Sequence, residues 1–262
     1  MTDVVKYEAR QRARGTMTLV VVLSVYLYVL VSMFPTISSV GDAFEQYAQA
    51  LPDAIRASFG VESITTIEGF LSVEIYQFIW VLMMGLYFTY LGGDLIAGEI
   101  ESGRIDLLLA TPISRKRFVV EKYLSLVVPI LAVNVVMPVV VLAGVTSIGE
   151  SLSTMDLVAL HVLSIPYLLV TAAIGLVLSV AFDRSDVPQR AGLGVLFALF
   201  TLESVTMDSE YEWLGLLSPT HYFDPTDVLV NGEYDLAGAL ILLGAAAALV
   251  ILATEWFRRR DI

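Results

Sequence analysis

The sequence predicts an all-α, polytopic membrane protein with six transmembrane helices and both termini on the same side. Three observations carry that expectation. The 262-residue chain is 57% hydrophobic and 16% charged, whereas a soluble domain usually holds about a quarter charged residues. Apolar runs recur at or near ~20 residues, the length a helix of 1.5 Å rise needs to cross ~30 Å of hydrocarbon. Finally, Lys and Arg concentrate in alternate connections between those runs, as they do on the cytoplasmic side of membrane proteins.

The elements follow in order. Residues 1–15 are polar and basic and suit a short helix on the inner membrane surface. The first span is expected at about residues 16–34. Its apolar run is too long for a cleaved leader, and "YVLVSMFPT" offers no small-residue cleavage site. A long outer loop from Pro35 to Glu74 comes next. Within it Phe44, Tyr47, Leu51, Ile55 and Phe59 recur at spacings of three and four, one face of a helix over 42–59. Pro52 kinks that helix and Gly60 stops it. Further spans are expected at about 75–95, 118–145, 157–182, 190–207 and 236–257. The fifth is the least apolar, because Glu203 interrupts it. The loop over 208–235 carries Tyr211, Trp213, Tyr222 and Phe223, aromatic residues suited to the edge of a bilayer; a short re-entrant or surface helix is expected there.

Alternating spans place every basic residue except Arg56 on one side. Lys6, Arg10, Arg12 and Arg14 precede span one. Arg104, Arg115, Lys116, Arg117 and Lys122 follow span two, Arg184 and Arg190 follow span four, and Arg258, Arg259 and Arg260 follow span six. Both termini are therefore expected in the cytoplasm, with the chain multi-pass in the cell membrane. The net charge is −12, and most outer-loop charge is acidic. An acidic, Lys-poor surface suited to high salt accounts for this; an acidic mouth that attracts cations is the alternative. There are no cysteines, which excludes disulfides and thiolate metal sites. The two histidines show no metal-ligand spacing, and no Ser, His and Asp form a recognisable triad. No catalysis is expected in this chain, and no metal.

The stretch "EIESGRIDLLLATPISRKRFVVEKY" (Glu99–Tyr123) lies between two uncharged runs. Ile105, Leu108 and Leu109 fall on one helical face, with Ser102 placed to cap the start and Thr111-Pro112 to end it. Ser114 is placed to cap the next helix, with Arg115, Lys116 and Arg117 at lipid headgroups. A short amphipathic helix over 102–110 is expected across the cytoplasmic end. By its residues alone it reads equally as an interfacial helix or as a docking helix for a partner.

"AGEIESGRIDLLLATPISRKRFVVEKYLSL" resembles the signature loop of ABC-2 type permeases, the membrane subunits of ABC exporters. Glu99, Glu101, Gly103, Leu107, Leu108, Leu109, Pro112, Ser114, Arg115 and Lys122 match that pattern. Arg104 stands where the family usually has Thr. "LPDAIRASFG" and "IEGFLSVEIYQF" resemble the branch with a larger first outer loop, and "WFRRRDI" its Phe-x-x-Arg-Asp ending. The resemblance covers essentially the whole chain. It implies a permease that pairs with a second permease, identical or different, and rests its coupling helix in a cleft of a P-loop ATPase. The residues it implies for ATPase coupling are Glu99, Glu101, Gly103, Ile105, Leu108, Leu109, Pro112, Ser114 and Arg115. The sequence has no G-x-x-x-x-G-K-[ST], so ATP and Mg are expected on the partner. Partners are thus an ATPase subunit, a second permease and the lipid bilayer, with no nucleic acid.

Two further residues suggest a path lining. Asn134 sits mid-span between Pro129 and Pro138, placed to bond a carbonyl freed by the Pro138 kink. Glu203 lies near the outer end of span five. A stand-alone secondary transporter or a membrane scaffold is the rival reading. A transporter of that kind favours inverted repeats and mid-membrane charges, and neither is evident.

Overall fold

The computed structural model describes residues 3–48, 66–105, 114–206 and 209–260. Among these it contains helices and turns and no strand. Helix α1 runs Asp3–Ala48. Helix α2 runs Ile67–Asp94, α4 Arg115–Ser147, α5 Thr154–Ser179 and α7 Leu236–Arg259. Between them lie the short α3, Ala97–Glu101, and α6, Asp186–Thr206. Among the described residues five helices (α1, α2, α4, α5 and α7) are long and apolar enough to cross a membrane. Helix α6 has the length, at 21 residues. It carries Asp186, Arg190 and Glu203, and its apolar content falls short of the other five.

The first outer connection differs from expectation. Helix α1 does not stop at Phe34 but continues through Pro35 to Ala48. A proline removes one backbone donor and is tolerated where other groups satisfy the freed carbonyls. The carbonyl freed by Pro35 is that of Val31; the Ser38 and Ser39 hydroxyls bond other carbonyls of this stretch, those of Pro35 and Thr36, at 3.3 and 2.8 Å. Helix α2 likewise begins at Ile67, so Glu68 and Glu74 are helical rather than loop. Thr66 caps it by accepting from the Gly69 amide at 3.2 Å. The expected outer helix over 42–59 falls for the most part outside the described residues: 42–48 continue α1, and Leu51, Ile55 and Phe59 are not described.

Helix α5 is the central element. Of its apolar stretch 67% is buried, against 22% for α1. It packs against α2, α4, α6 and α7. The α2–α5 crossing is very close. A Cβ on Gly175 would meet the Thr89 carbonyl oxygen at 2.1 Å, and one on Gly92 would meet the Ala172 carbonyl oxygen at 2.2 Å. Small residues permit such backbone approach where lipid supplies no hydrophobic force between helices. Thr89 seals the crossing by donating to the Gly85 and Thr171 carbonyls at 2.9 and 3.0 Å.

The 14 residues Leu71–Met84 of α2 are π-helical. Wider turns of this kind re-aim side chains and often mark functional sites. Here they carry Tyr76 and Trp80, both fully buried, toward α5. Beyond α6, the connection to α7 forms two 3-10 turns, Glu212–Leu217 and Pro219–Tyr222, and a π turn, Asp227–Asn231. These three short turns stand where one short re-entrant or surface helix is expected. Phe223 from this connection stacks on Tyr167 of α5 with ring centroids 5.7 Å apart, which ties the connection to the bundle.

Candidate functional site: the basic end of the bundle

The connections rich in Lys and Arg meet at one end of the bundle. Helix α2 ends at Asp94, and the following turn is held by α5. The Ser179 hydroxyl oxygen accepts from the Ile96 and Ala97 amides, both at 3.0 Å. That anchor turns α3 so that Glu99 points inward and is buried. Lys122 of α4 meets it there. Lys122 is 1% exposed, and its Nζ donates to Glu99 Oε1 at 2.7 Å and to Glu8 Oε1 at 2.6 Å. Arg104 grips the same Glu99 carboxylate through Nε and Nη2 at 3.0 and 3.2 Å. Arg12 lies 3.5 Å from Glu8. One buried cluster thus joins α1, α3 and α4 with both carboxylates paired. Charge-assisted bonds of this kind are the strong ones.

The other described residues of the expected coupling set lie around this cluster. Glu101 is exposed and accepts from the amide and hydroxyl of Ser185 at 2.9 and 2.7 Å, which links α3 to the α5–α6 turn. Those two bonds hold the Glu101 carboxyl below its ordinary value. Ser102 does not open a helix. It ends α3, and its hydroxyl donates to the Gly98 carbonyl at 2.7 Å. Gly103 follows with φ +68°, a left-handed conformation that suits glycine. Helical backbone resumes at Arg104, and Ile105 is buried. Leu108, Leu109 and Pro112 lie outside the described residues.

On the far side of the loop Ser114 caps α4, its hydroxyl accepting from the Arg117 amide at 3.3 Å. Arg115 donates to the Arg260 carbonyl and sits 5.9 Å over the Phe257 ring. Lys116 pairs with Glu255. Arg260 in turn donates to the Val180 carbonyl at 2.7 Å and pairs with Asp183. The ends of α3, α5 and α7 and the starts of α1, α4 and α6 are therefore stitched together by side chains.

Asn134 and Glu203 are not near this end, nor are they brought together. Asn134 is buried between α4 and α5. Its Nδ2 donates to the Ile130 carbonyl at 2.9 Å, one turn back along its own helix. The carbonyl that Pro138 leaves without a helical donor is Asn134's own, so the expected bond to a freed carbonyl is not the one formed. Its Oδ1 accepts from Ser164 at 2.7 Å and faces His161 Nδ1 at 3.1 Å. Glu203 lies at the opposite end. It accepts from Thr220 and stands 3.8 Å from His221 Nδ1.

A family model described as ABC-2 family transporter protein matches residues 2–262. The chain belongs to this ABC-2 transporter family. No curated relative matches it. ABC-2 permeases are multi-pass membrane components of ABC transport systems and not themselves catalytic. In this ABC-2 protein Glu8 and the pairing role of Lys122 were not legible as a site. A lysine at the mouth of an apolar span was a signal, since such a charge needs a partner. Its partner Glu8 lies 114 residues away, which no local pattern discloses.

Proposed function

We propose that this chain is the permease subunit of an ATP-driven exporter. In this reading α6 counts as a sixth span, because it has spanning length and packs along α2 and α5. The basic end faces the cytoplasm, in keeping with the bias of Lys and Arg toward that side. The chain works in the plasma membrane as one of two permeases, identical or different. The stretch 102–110, in which helical backbone resumes at Arg104, carries the coupling helix, which docks in a cleft of a P-loop ATPase that binds ATP and Mg. Glu101, Gly103, Ile105, Leu108, Leu109 and Pro112 shape or contact that helix, and Ser114 and Arg115 fix its exit.

The observation that carries this reading is the clamp at the root of the loop. Glu99 on its entry and Lys122 beyond its exit share one buried ion pair, and Glu8 of α1 joins the same ammonium. A displacement of residues 102–113 by a partner is therefore passed to α1, α3 and α4 together rather than absorbed by a slack loop. Rigid, bonded elements are what transmit force between sites.

Purification in mild detergent from the native membrane tests the proposal. A chain carrying G-x-x-x-x-G-K-[ST] is expected to co-purify at near-equal stoichiometry. Single cysteines test the orientation, since the sequence has none of its own. Positions 150 and 230 are expected to label from outside, and 106 and 186 only after permeabilisation. Recovery of the chain alone, with outside labelling at 106, would favour a stand-alone transporter instead.

A further inference from the structure

We propose that the groove between α4 and α5 binds an uncharged, lipophilic molecule with one hydrogen-bond acceptor, seated on the side-chain amide of Asn134. The groove has a volume of about 350 Å³, within the range of small-molecule sites. Its walls include Leu131, Val135, Val158 and Val162, with Asn134 and His161 also in its lining. Val135 is 67% exposed and Val162 57%, so the mouth opens on the face that meets lipid. No charged side chain lines it, so an ion gains nothing there and loses its hydration.

The polar floor specifies what the ligand must offer. Trp80 Nε1 donates to Ser164 Oγ at 2.9 Å, and Ser164 Oγ donates on to Asn134 Oδ1 at 2.7 Å. The Tyr76 hydroxyl lies 3.1 Å from His161 Nε2, and His161 Nδ1 lies 3.1 Å from Asn134 Oδ1. Tyr76 donates to Nε2, which leaves a neutral imidazole whose Nδ1–H donates to Asn134. Asn134 Oδ1 then faces two donors, the Ser164 hydroxyl, which also lies 2.9 Å from the His161 carbonyl, and His161 Nδ1. Its Nδ2 has two hydrogens, and one goes to the Ile130 carbonyl. The other has no acceptor among the described residues, although Asn134 is only 6% exposed and lines the groove. The Asn134 amide therefore lacks an acceptor, which a ligand in the groove can supply.

Depth separates this ligand from a bilayer lipid. Asn134 lies 13 positions before the end of α4 at Ser147, ~20 Å of helix. That is deep within a hydrocarbon layer of ~30 Å. An acyl chain at that level presents only methylenes and leaves the amide hydrogen unpaired. A compact ketone or ether supplies the missing acceptor and fills the valine-lined walls. The inference concerns binding alone and does not depend on an ATPase partner.

Benzophenone is a suitable probe, an uncharged ketone that inserts into nearby C–H bonds on irradiation. The whole chain in lipid nanodiscs is irradiated with it and the adducts are mapped by mass spectrometry. Adducts are expected to concentrate at 131–142 and 154–165. They should fall about three- to tenfold in Asn134→Leu, the value of one net hydrogen bond. Val158→Trp fills the groove without touching any bonded polar group and should abolish them, which keeps the test decisive if Asn134→Leu misfolds. Adducts spread evenly over exposed α7 positions such as Leu240 and Ile251 would overturn the proposal. Groove labelling that survives Val158→Trp, or that ignores a folded Asn134→Leu, would overturn it as well and leave the groove to acyl chains.

Discussion

Replacing Lys122 by Met removes the one ammonium shared by two buried carboxylates. The side chains of Lys122, Glu8 and Glu99 are 1%, 5% and 8% exposed, so water cannot stand in for the lost partner. Glu99 keeps Arg104 at 3.0 Å, but the Arg104 side chain is 49% exposed. Among the described residues Glu8 keeps Arg12, at 3.5 Å. Breaking a buried pair from one side typically costs ~3–5 kcal/mol, because an uncompensated charge stays behind. At about 2–4 °C per kcal/mol for a chain of this size, the melting temperature should drop by roughly 6–20 °C. Thermal unfolding in detergent micelles, followed by the fluorescence of the three tryptophans, measures this. Adding Glu8→Gln to Lys122→Met removes the more poorly paired charge and should restore a large part of the loss. Lys122→Met melting within about 2 °C of the parent protein would refute the reasoning. So would a double variant weaker than the single one, since the penalty would then not come from the stranded carboxylate.

Two further outcomes follow from the geometry. Gly175→Leu drives a side chain into the Thr89 carbonyl 2.1 Å from its Cβ. It should prevent recovery of folded monodisperse protein, whereas Gly194→Leu, with nothing within 4 Å of its Cβ, should be recovered like the parent in size-exclusion chromatography. The link between Glu101 and Ser185 should depend on pH. The folded-state carboxyl titrates below its unfolded value. Its contribution is therefore fully present above the ordinary carboxylate value of ~4.3 and lost as pH falls through the depressed folded one. Amide exchange at Ser185, corrected for intrinsic rate, should lose protection over that acidic window, and Glu101→Gln should flatten the pH dependence.

Long apolar runs made most of the helices legible, because crossing hydrocarbon demands length and low charge and little else. The ends were less legible. Pro35 looked like a stop, yet helix continues through it with serine hydroxyls bonding nearby carbonyls. Glu68 and Glu74 looked like loop residues because they are charged, yet both lie in the helix of α2. At the site, the charges of the 99–115 stretch marked a connection between two apolar runs. They did not disclose that Glu99 turns inward, since that depends on Ser179 of α5 gripping the turn before it. His161 and Asn134 were each read alone. Their contact depends on the register between α4 and α5, which packing sets and one-dimensional pattern does not. The same holds for Gly92 and Gly175, which are ordinary glycines in the sequence and a backbone crossing in the fold.

Coupling between residues 102–110 and a P-loop ATPase is the centre of the account, and Leu108→Asp tests it most directly. Leu108 lies on the apolar face expected of that helix, beyond the clamp of Glu99 and Lys122. A charge there, left unpaired in a docked cleft, typically costs several kcal/mol, and each ~1.4 kcal/mol is a factor of ten in binding. The measurement is ATPase binding and transport-linked ATP hydrolysis in vesicles holding the complex, parent against variant. The account predicts that both fall by about a hundredfold or more while the variant inserts and melts like the parent. Binding and hydrolysis unchanged in Leu108→Asp would contradict it, and would leave the 102–110 stretch a helix that merely lies on the membrane.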